Sequence, residues 1–367
     1  MVFFMNKMLL EKGILMSELV VDLSAIKNNF AYIKRLLNNN QKICFVAKAN
    51  CYGLGAKKIC GFMNQFVDMF AVSSGYEFFK IKRVTNKPIL ILDPVYENIT
   101  KLAICDAVFT VSNFESLNMI LNSAKSNLKT KFKIHLAYNT GMNRFGFSKV
   151  KEVVKVFEIC KKVQNIYILG VFSHFYCANN KNFANNQIDK FSELKKILTQ
   201  KQSCGGVDFH IANSCGVEIK NNFDMARVGF AMYSDAMFQT ISLKSKILDF
   251  QDLDIGETAG YDAVFIAKRK TKIAVVGIGY ADGLFRNIVN KGYVLINGNR
   301  AKIVAVCMDS LLVDVTDFSA KIYDNVVLIG KSKNEQIFIC DVARWCDTIG
   351  YEIISKISSR VKRKYIG

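Results

Sequence analysis

Eight short, apolar, β-prone runs recur between residue 43 and about residue 235, and no other feature constrains the fold as much. They are Ile43–Ala47, Met69–Ser73, Pro88–Leu92, Ala107–Val111, Phe132–Tyr138, Ile166–His174, Val207–Ala212 and Ala226–Met232. Between most of them lie stretches with helical spacing and a polar face, such as Asn113–Lys125, Lys149–Lys162 and Asn185–Gln200. Strands that alternate with helices make βαβ units and a parallel sheet. The runs are almost continuously apolar, as strands covered on both faces must be. Eight such units predict an α/β fold of the (β/α)8 TIM-barrel type rather than an open sheet.

The texture changes after about residue 238. Helical periodicity fades until Asp341–Cys346. Strand-like runs separated by turns replace it: Lys272–Gly277, Tyr293–Ile296, Ala301–Cys307, Leu311–Val315, Val326–Ile329 and Gln336–Ile339. Asn297-Gly298-Asn299 is a hairpin signal. The expected organisation is an N-terminal extension over 1–17 that the fold can dispense with, a barrel over 18–238, and a mostly antiparallel β domain over 239–367. Met16-Ser17-Glu18 would serve as an alternative start, and the apolar patches before it are broken by Lys7, Glu11 and Lys12. They do not form a signal peptide.

Composition excludes several classes. No stretch approaches the roughly 18 uninterrupted apolar residues of a membrane span. The 11 cysteines are scattered without a Cys-x-x-Cys pair, and many lie in apolar runs (Cys44, Cys160, Cys340). That pattern suits reduced thiols in a cytoplasm and neither a disulfide framework nor a zinc site. The three histidines, His135, His174 and His210, are not at metal-ligand spacing, so no metal is expected. The formal charge of +19 comes from lysines spread along the whole chain. It is read as a solvated surface with some attraction for anionic ligands, because no nucleic-acid module is visible.

Barrel chemistry sits at the carboxyl ends of the strands. Lys48 follows the first run and precedes a small-residue turn, Ala49-Asn50-Cys51-Tyr52-Gly53-Leu54-Gly55. A lysine snorkelling from a strand end is commonplace, but a buried lysine amine is driven towards its neutral form, which Schiff-base chemistry needs. Asn139 to Arg144 follows the fifth run, His174 closes the sixth, Asn213-Ser214 the seventh, and Arg227-Val228-Gly229 lies at the eighth. Together these residues predict a basic pocket for a phosphate or carboxylate.

These segments resemble the alanine racemases. Val46-Ala47-Lys48-Ala49-Asn50-Cys51-Tyr52-Gly53 is similar to that family's pyridoxal-phosphate lysine motif. Thr140 to Phe147, Ser173-His174-Phe175, His210 to Ser214 and Arg227 to Tyr233 match in order, as do Gly260-Tyr261, Gly279 to Gly283 and Cys307-Met308-Asp309. The resemblance runs from about Leu19 to Tyr365. It implies a pyridoxal 5'-phosphate enzyme that interconverts L- and D-alanine, works as a homodimer with shared active sites, and supplies D-alanine for peptidoglycan. Lys48 would anchor the cofactor and act as one base. Tyr261, donated by the partner subunit, would act as the other on the opposite face of Cα. Arg227 would face the pyridine nitrogen, with His174 linking it to Tyr261. Tyr52, Asn213, Ser214, Gly229, Phe230 and Tyr365 would complete the cofactor contacts, chiefly to its phosphate. Arg144 and Met308 would orient the substrate carboxylate. Tyr280 would stand at the entrance, and Asp309 would assist beside it.

One position departs from the family pattern. Ala137 stands where many members carry a carbamylated lysine that holds the arginine, so Asn139 is a candidate for orienting Arg144 instead. A racemase for serine or a broader set of amino acids is the close alternative. A decarboxylase of basic amino acids on the same fold is disfavoured by Arg227, because the related decarboxylases place a carboxylate there. A non-enzymatic pyridoxal-phosphate carrier is disfavoured by the β domain.

Overall fold

The computed structural model describes residues 16–38, 40–200, 205–221, 223–234 and 237–367. It divides into two compact units. One is Lys27–Met232, and the other joins Tyr233–Gly367 to the described residues up to Ile26. The strand β1 (Glu18–Asp22) belongs to the second unit.

The first unit is built on β2 (Lys42–Val46), β3 (Met69–Val72), β4 (Ile89–Ile91), β5 (Ala107–Val111), β6 (Phe132–Ala137), β7 (Ile166–Phe172), β8 (Asp208–His210) and β9 (Met225–Val228). They form one sheet in the order β8-β7-β6-β5-β4-β3-β2-β9, and every neighbouring pair is parallel. Backbone bonds from Asp224 to Phe209 (2.7 Å) and from Arg227 to Ala212 (2.9 Å) tie the two end strands and close the ring. Strands β3, β4 and β5 are buried at every position, as parallel strands covered by helices should be. Cys44, Val46, Met69, Ala71, Leu90, Val108 and Met225 form one buried cluster drawn from five strands.

The crossover helices follow from spacing and caps. Phe114–Ser126 starts at Asn113, whose side chain accepts from Ser116 N while the Ser116 hydroxyl accepts from Asn113 N, a reciprocal capping box. Its buried residues Leu117, Ile120 and Ala124 stand three and four apart, which makes one apolar stripe. Among its described residues, the seventh link holds no long helix, only the 3-10 turn Ser214–Gly216.

The second unit holds β10 (Ile241–Leu253), β11 (Thr258–Ala259), β12 (Phe265–Ile266), β13 (Thr271–Val276), β14 (Tyr293–Ile296), β15 (Asn299–Val306), β16 (Leu311–Asp314), β17 (Asn325–Ser332), β18 (Glu335–Ile337) and β19 (Lys362–Ile366). Nine strands join in the order β18-β17-β14-β15-β16-β13-β10-β1-β19, with β17 also paired to β10. All the pairs are antiparallel except β1–β19. The long β10 is the hub, because it pairs with β1, β13 and β17. The β14–β15 turn is Asn297-Gly298 with φ of 52° and 87°, the left-handed pair of a type I′ hairpin.

The strand pairing divides the chain differently from the expected barrel over 18–238. β1 runs beside β10 and β19, and the break falls between Met232 and Tyr233. The physical reason lies in β1's alternation: Leu19 and Val21 are buried, and Glu18, Val20 and Asp22 are only partly so. That is the pattern of a sheet covered on one face, not of a barrel stave. Most of the expected N-terminal extension, residues 1–15, lies outside the described residues. Ser17, at its end, is buried, and Met16 packs so closely that a Cβ on Gly277 would come within 2.9 Å of its own Cβ.

Candidate active site

Lys48 stands at the carboxyl end of β2, where the backbone turns in an unusual sense. Ala49, Asn50, Cys51 and Tyr52 all take positive φ, between 50° and 56°. Each left-handed L-residue costs about 1–2 kcal/mol, so the turn must be held from outside. Ala49 N donates to Glu77 Oε1 (2.6 Å) and Ala56 N to Asn50 Oδ1 (2.9 Å). The other Glu77 oxygen accepts from Ser73 N and Ser73 Oγ, and Cys51 and Tyr52 are buried. Strain overdetermined in this way is typical of functional segments. Lys48 itself is half-buried. Burial first, and then the Arg144 cation, hold its pKa below the ordinary lysine value, while the Asp93 and Glu77 carboxylates oppose the shift.

Arg227 lies within β9 and is 4% exposed. Its Nη1 donates to His210 Nδ1 (2.5 Å) and to His210 O (3.3 Å). Its Nη2 donates to Ser173 O (2.6 Å) and to His174 Nδ1 (3.2 Å). No carboxylate is among these partners. Burial lowers the guanidinium pKa to about 10, so the group stays protonated at neutral pH and can only donate. His174, two residues beyond β7, is held neutral: burial, then Arg227, Arg144 and Lys48, depress it to about 3.

A third group gathers at the carboxyl ends of β8 and β9. Ser214 Oγ accepts from Gly229 N (3.1 Å) and Ala231 N (3.2 Å). Asn213 caps the Ser214–Gly216 turn through Gly216 N and donates to Phe175 O, and its Nδ2 also lies 3.4 Å from His174 Nε2, so it shapes the loop beside that ring. Position 229 must be glycine, since a Cβ there would lie 2.1 Å from the Tyr52 hydroxyl. Phe230 opens the short 3-10 turn Phe230–Met232.

Arg144 is exposed on the loop after β6, with its guanidinium 5.8 Å from the Phe145 ring centroid. Asn139 does not orient it as expected. Its Oδ1 accepts from Gly141 N and Asn143 N, and its Nδ2 donates to Asn143 Oδ1. An asparagine two residues before a Gly turn closes on its own loop.

The sequence reading missed two residues. Gln187, buried in the helix Lys181–Gln200, donates to Thr140 Oγ1 and His174 O and accepts from Tyr176 N, fastening two strand-end loops together. Asp93 follows β4, and burial raises its pKa against the pull of Lys48 and Arg144. An acidic residue just past an apolar run was the available signal for it.

In the second unit, Tyr261 stands on the turn between β11 and β12 and is 65% exposed. Asp262 and Ala263 after it take positive φ, and Gly260 before it has no room for a Cβ, which would lie 2.5 Å from Ala305 Cβ. Tyr280 and Met308 are brought together: Tyr280 N donates to Cys307 O and Ala281 N to Met308 O, both 3.0 Å. Asp309 pairs with Arg360 at 2.6 Å. Tyr365 lies in β19 opposite Val21.

The barrel residues fit pyridoxal phosphate. They supply an amine depressed towards neutrality, a donor-only cation in the interior, and a cluster of hydroxyls and backbone N–H groups that suits a phosphate, all at the strands' carboxyl ends. Among the described residues, no group of three or more His, Cys, Asp and Glu is placed to hold a metal, and no helix is long and apolar enough to cross a membrane.

Known proteins carry the same plan. The family model for the alanine racemase N-terminal domain matches residues 21–236, and that for the alanine racemase C-terminal domain matches residues 240–365. An alanine racemase of Thermodesulfovibrio yellowstonii is 32% identical over 94% of this chain and 96% of its own length. The Bacillus anthracis alanine racemase with bound L-Ala-P superposes with a TM-score of 0.87 at 28% identity, over 96% of this chain and 95% of that one. The Bartonella henselae alanine racemase with covalently bound pyridoxal phosphate does so with a TM-score of 0.85 at 26% identity, over 96% and 99%. With both domains matched in order along nearly its whole length, the chain belongs to the alanine racemase family, a family of isomerases.

Proposed function

We propose that this protein racemises alanine with pyridoxal 5'-phosphate by a two-base mechanism, using Lys48 and Tyr261 of the partner subunit. The observation that carries the proposal is the half-buried Lys48 amine, its pKa lowered, at the mouth of a barrel where Tyr52 follows on the same turn and other strand ends present Arg227 and Ser214. That the Bartonella relative holds pyridoxal phosphate covalently supports the same use here.

Bound there, the cofactor supplies an aldehyde for the amino group and an electron sink that acidifies the Cα–H bond. Tyr52, Ser214 and the backbone at Gly229 and Phe230 would hold its phosphate, with Asn213 shaping the loop and Tyr365 adding a hydroxyl. Arg227 would donate to the pyridine nitrogen. It has no carboxylate partner and cannot pass a proton on, so it keeps the sink weak and disfavours transamination and decarboxylation. Arg144 would hold the substrate carboxylate beside Met308, with Tyr280 and Asp309 at the entrance. Lys48 takes or returns the Cα proton on one face and Tyr261 does so on the other, because inversion needs a base on each side. His174, neutral and bonded to Arg227 through Nδ1, has the Asn213 amide nitrogen 3.4 Å from its Nε2 and would link Arg227 to the tyrosine.

The proposal extends to a homodimer with shared sites and a cytoplasmic enzyme making D-alanine for peptidoglycan. The ten described cysteines are all free thiols, which supports a reducing compartment. The proposal also has the barrel unit carry the cofactor and residues 1–15 be dispensable.

An absorption spectrum tests the core of this reading. The purified protein should show a band near the visible edge that shifts when alanine is added, together with conversion of either enantiomer to the racemate. Lys48→Ala should lack both. A protein without the band, or with the band but no racemisation, refutes the proposal.

A further inference from the structure

Inside the barrel, Arg227 heads a file of three side chains that the proposed chemistry does not otherwise use beyond its first member. Arg227 Nη1 lies 2.5 Å from His210 Nδ1, and His210 Nε2 lies 2.9 Å from His135 Nδ1. His135 is 1% exposed and His210 is fully buried. His210 is stacked on Phe172 with 15° between the ring planes, and the guanidinium sits 5.0 Å from the centroid of that same ring. The His135 ring fits only because residue 170 is glycine, where a Cβ would lie 2.6 Å from its Cε1.

The chemistry of the donors gives the file a direction. A guanidinium has donors and no acceptor, so His210 Nδ1 must be bare. Burial first, and then the Arg227 cation, keep the His210 ring neutral, so its proton sits on Nε2. That N–H faces His135 Nδ1, which must accept. His135 is neutral for the same reasons and carries its own proton on Nε2. Any other arrangement sets two protons, or two lone pairs, against each other at one of the contacts.

We propose that His135 is a positioning residue for Arg227 and acts through His210. By accepting the Nε2 proton of His210, it keeps the bare Nδ1 turned towards the guanidinium. Without an acceptor at 135, His210 holds a buried, unpaired N–H, and moving that proton to Nδ1 aims it at Arg227. The guanidinium is then pushed away from Ser173 O and His174 Nδ1. The catalytic consequence rests on the proposed role of Arg227, whereas the tautomer is a property of this chain with or without cofactor.

The test compares wild type, His135→Leu and His135→Asn, the last with an amide oxygen close to where Nδ1 stood. The chain has three histidines, so imidazole 15N spectra of histidine-labelled protein are tractable. Wild-type His210 should show the Nε2–H tautomer, His135→Leu should lose it, and His135→Asn should keep it. In the loaded enzyme, His135→Leu should lower kcat for alanine racemisation about tenfold, the scale of losing a supporting partner, with KM changed less than twofold. His135→Asn should recover most of that loss. A wild-type His210 protonated on Nδ1 overturns the proposal outright, even if the leucine variant does not fold. So does a folded His135→Leu that keeps the tautomer and the wild-type kcat. If wild type racemises no alanine, the proposed function fails, while the spectra still decide this inference.

Discussion

The barrel unit and the β unit hold their site residues by opposite means. In the barrel interior, the functional side chains around Arg227 are locked to one another. Arg227 has both terminal nitrogens accepted by protein groups, His174 is tied to it, and Gln187 ties the His174 loop to Thr140. In the β unit, Tyr261 is 65% exposed and is presented by a turn whose strain sits in the backbone, at Asp262 and Ala263. In the first arrangement chemistry and stability share the same bonds. In the second they separate, so a residue can be lost without the fold noticing.

Two substitutions probe that separation most strongly. Lys48→Ala should reduce racemisation at least a thousandfold, within the range for removing a proton-transfer group. Lys48, like the exposed Arg144, stands outside that network, for its amine is held by burial and charge. In cofactor-free protein its loss should leave the urea midpoint at neutral pH unchanged or slightly raised. The sign follows from the lowered pKa: near and above the folded value, the unfolded chain binds a proton that the folded one releases, so the lysine weakens the fold at lower pH. Tyr261→Phe should slow loss of the L-alanine Cα proton about a hundredfold and loss of the D-alanine proton far less, with the urea midpoint unmoved. Deuterium exchange on each enantiomer reads the asymmetry, and equal slowing would refute the two-base assignment.

Acid should strike the two units unequally. All three histidines lie in the barrel, and burial depresses His135 and His174 from 6.5 to about 3. Between those values the unfolded chain takes up protons that the folded barrel refuses, so the stability present above pH 6.5 is lost as pH falls. The loss is about 2 kcal/mol per histidine at pH 5. Amide hydrogen exchange, corrected for its intrinsic pH dependence, should show β2 to β9 opening more readily at pH 5 than at pH 7, and β13 to β17 changing little. Equal loosening of both units would show that the histidines do not set the acid limit.

The same contrast explains what could be read from the sequence. The barrel strands were legible because burial on both faces writes a continuous apolar run, as in Ala107–Val111. Lys48, Arg227 and Ser214 were legible because they interrupt such runs at their ends. β1 was not picked out as a strand and fell inside the expected barrel bounds, because a five-residue alternation does not say which sheet it joins. β10 begins with alternating burial but ends on mostly exposed positions such as Leu248, Asp249 and Gln251, so its second half has no face to reveal it. His135 lies inside Phe132–Ala137 like any strand residue, and only the folded barrel shows that its ring meets His210. Asn139 was misjudged because a loop asparagine bonds its own backbone before it reaches a neighbour.

Gly229→Ala tests a contact at the site that depends on close packing more than on charge. The added methyl would lie 2.1 Å from the Tyr52 hydroxyl, so the ring must move, at a cost of about 1–3 kcal/mol for overpacking. Cofactor affinity should fall about tenfold if Tyr52 holds the phosphate, measured by equilibrium titration of cofactor-free protein with pyridoxal phosphate. A variant less stable but with unchanged affinity would remove Tyr52 from the phosphate site.

The smallest expected effect concerns Asp93, the acid for which the sequence offered only a weak signal. Its carboxylate raises the Lys48 pKa, while burial raises its own against the opposing pull of Lys48 and Arg144. Asp93→Asn should therefore let the Lys48 amine become neutral at lower pH. The rate of pyridoxal-phosphate uptake by cofactor-free protein depends on the neutral amine, so its rise with pH should move to the acid side in the variant. The maximum rate should change less than the midpoint, since the asparagine keeps the shape and removes only the charge. An unmoved midpoint would mean that solvent screens Asp93 from the lysine, and the barrel mouth would then be as open to water as the turn that carries Tyr261.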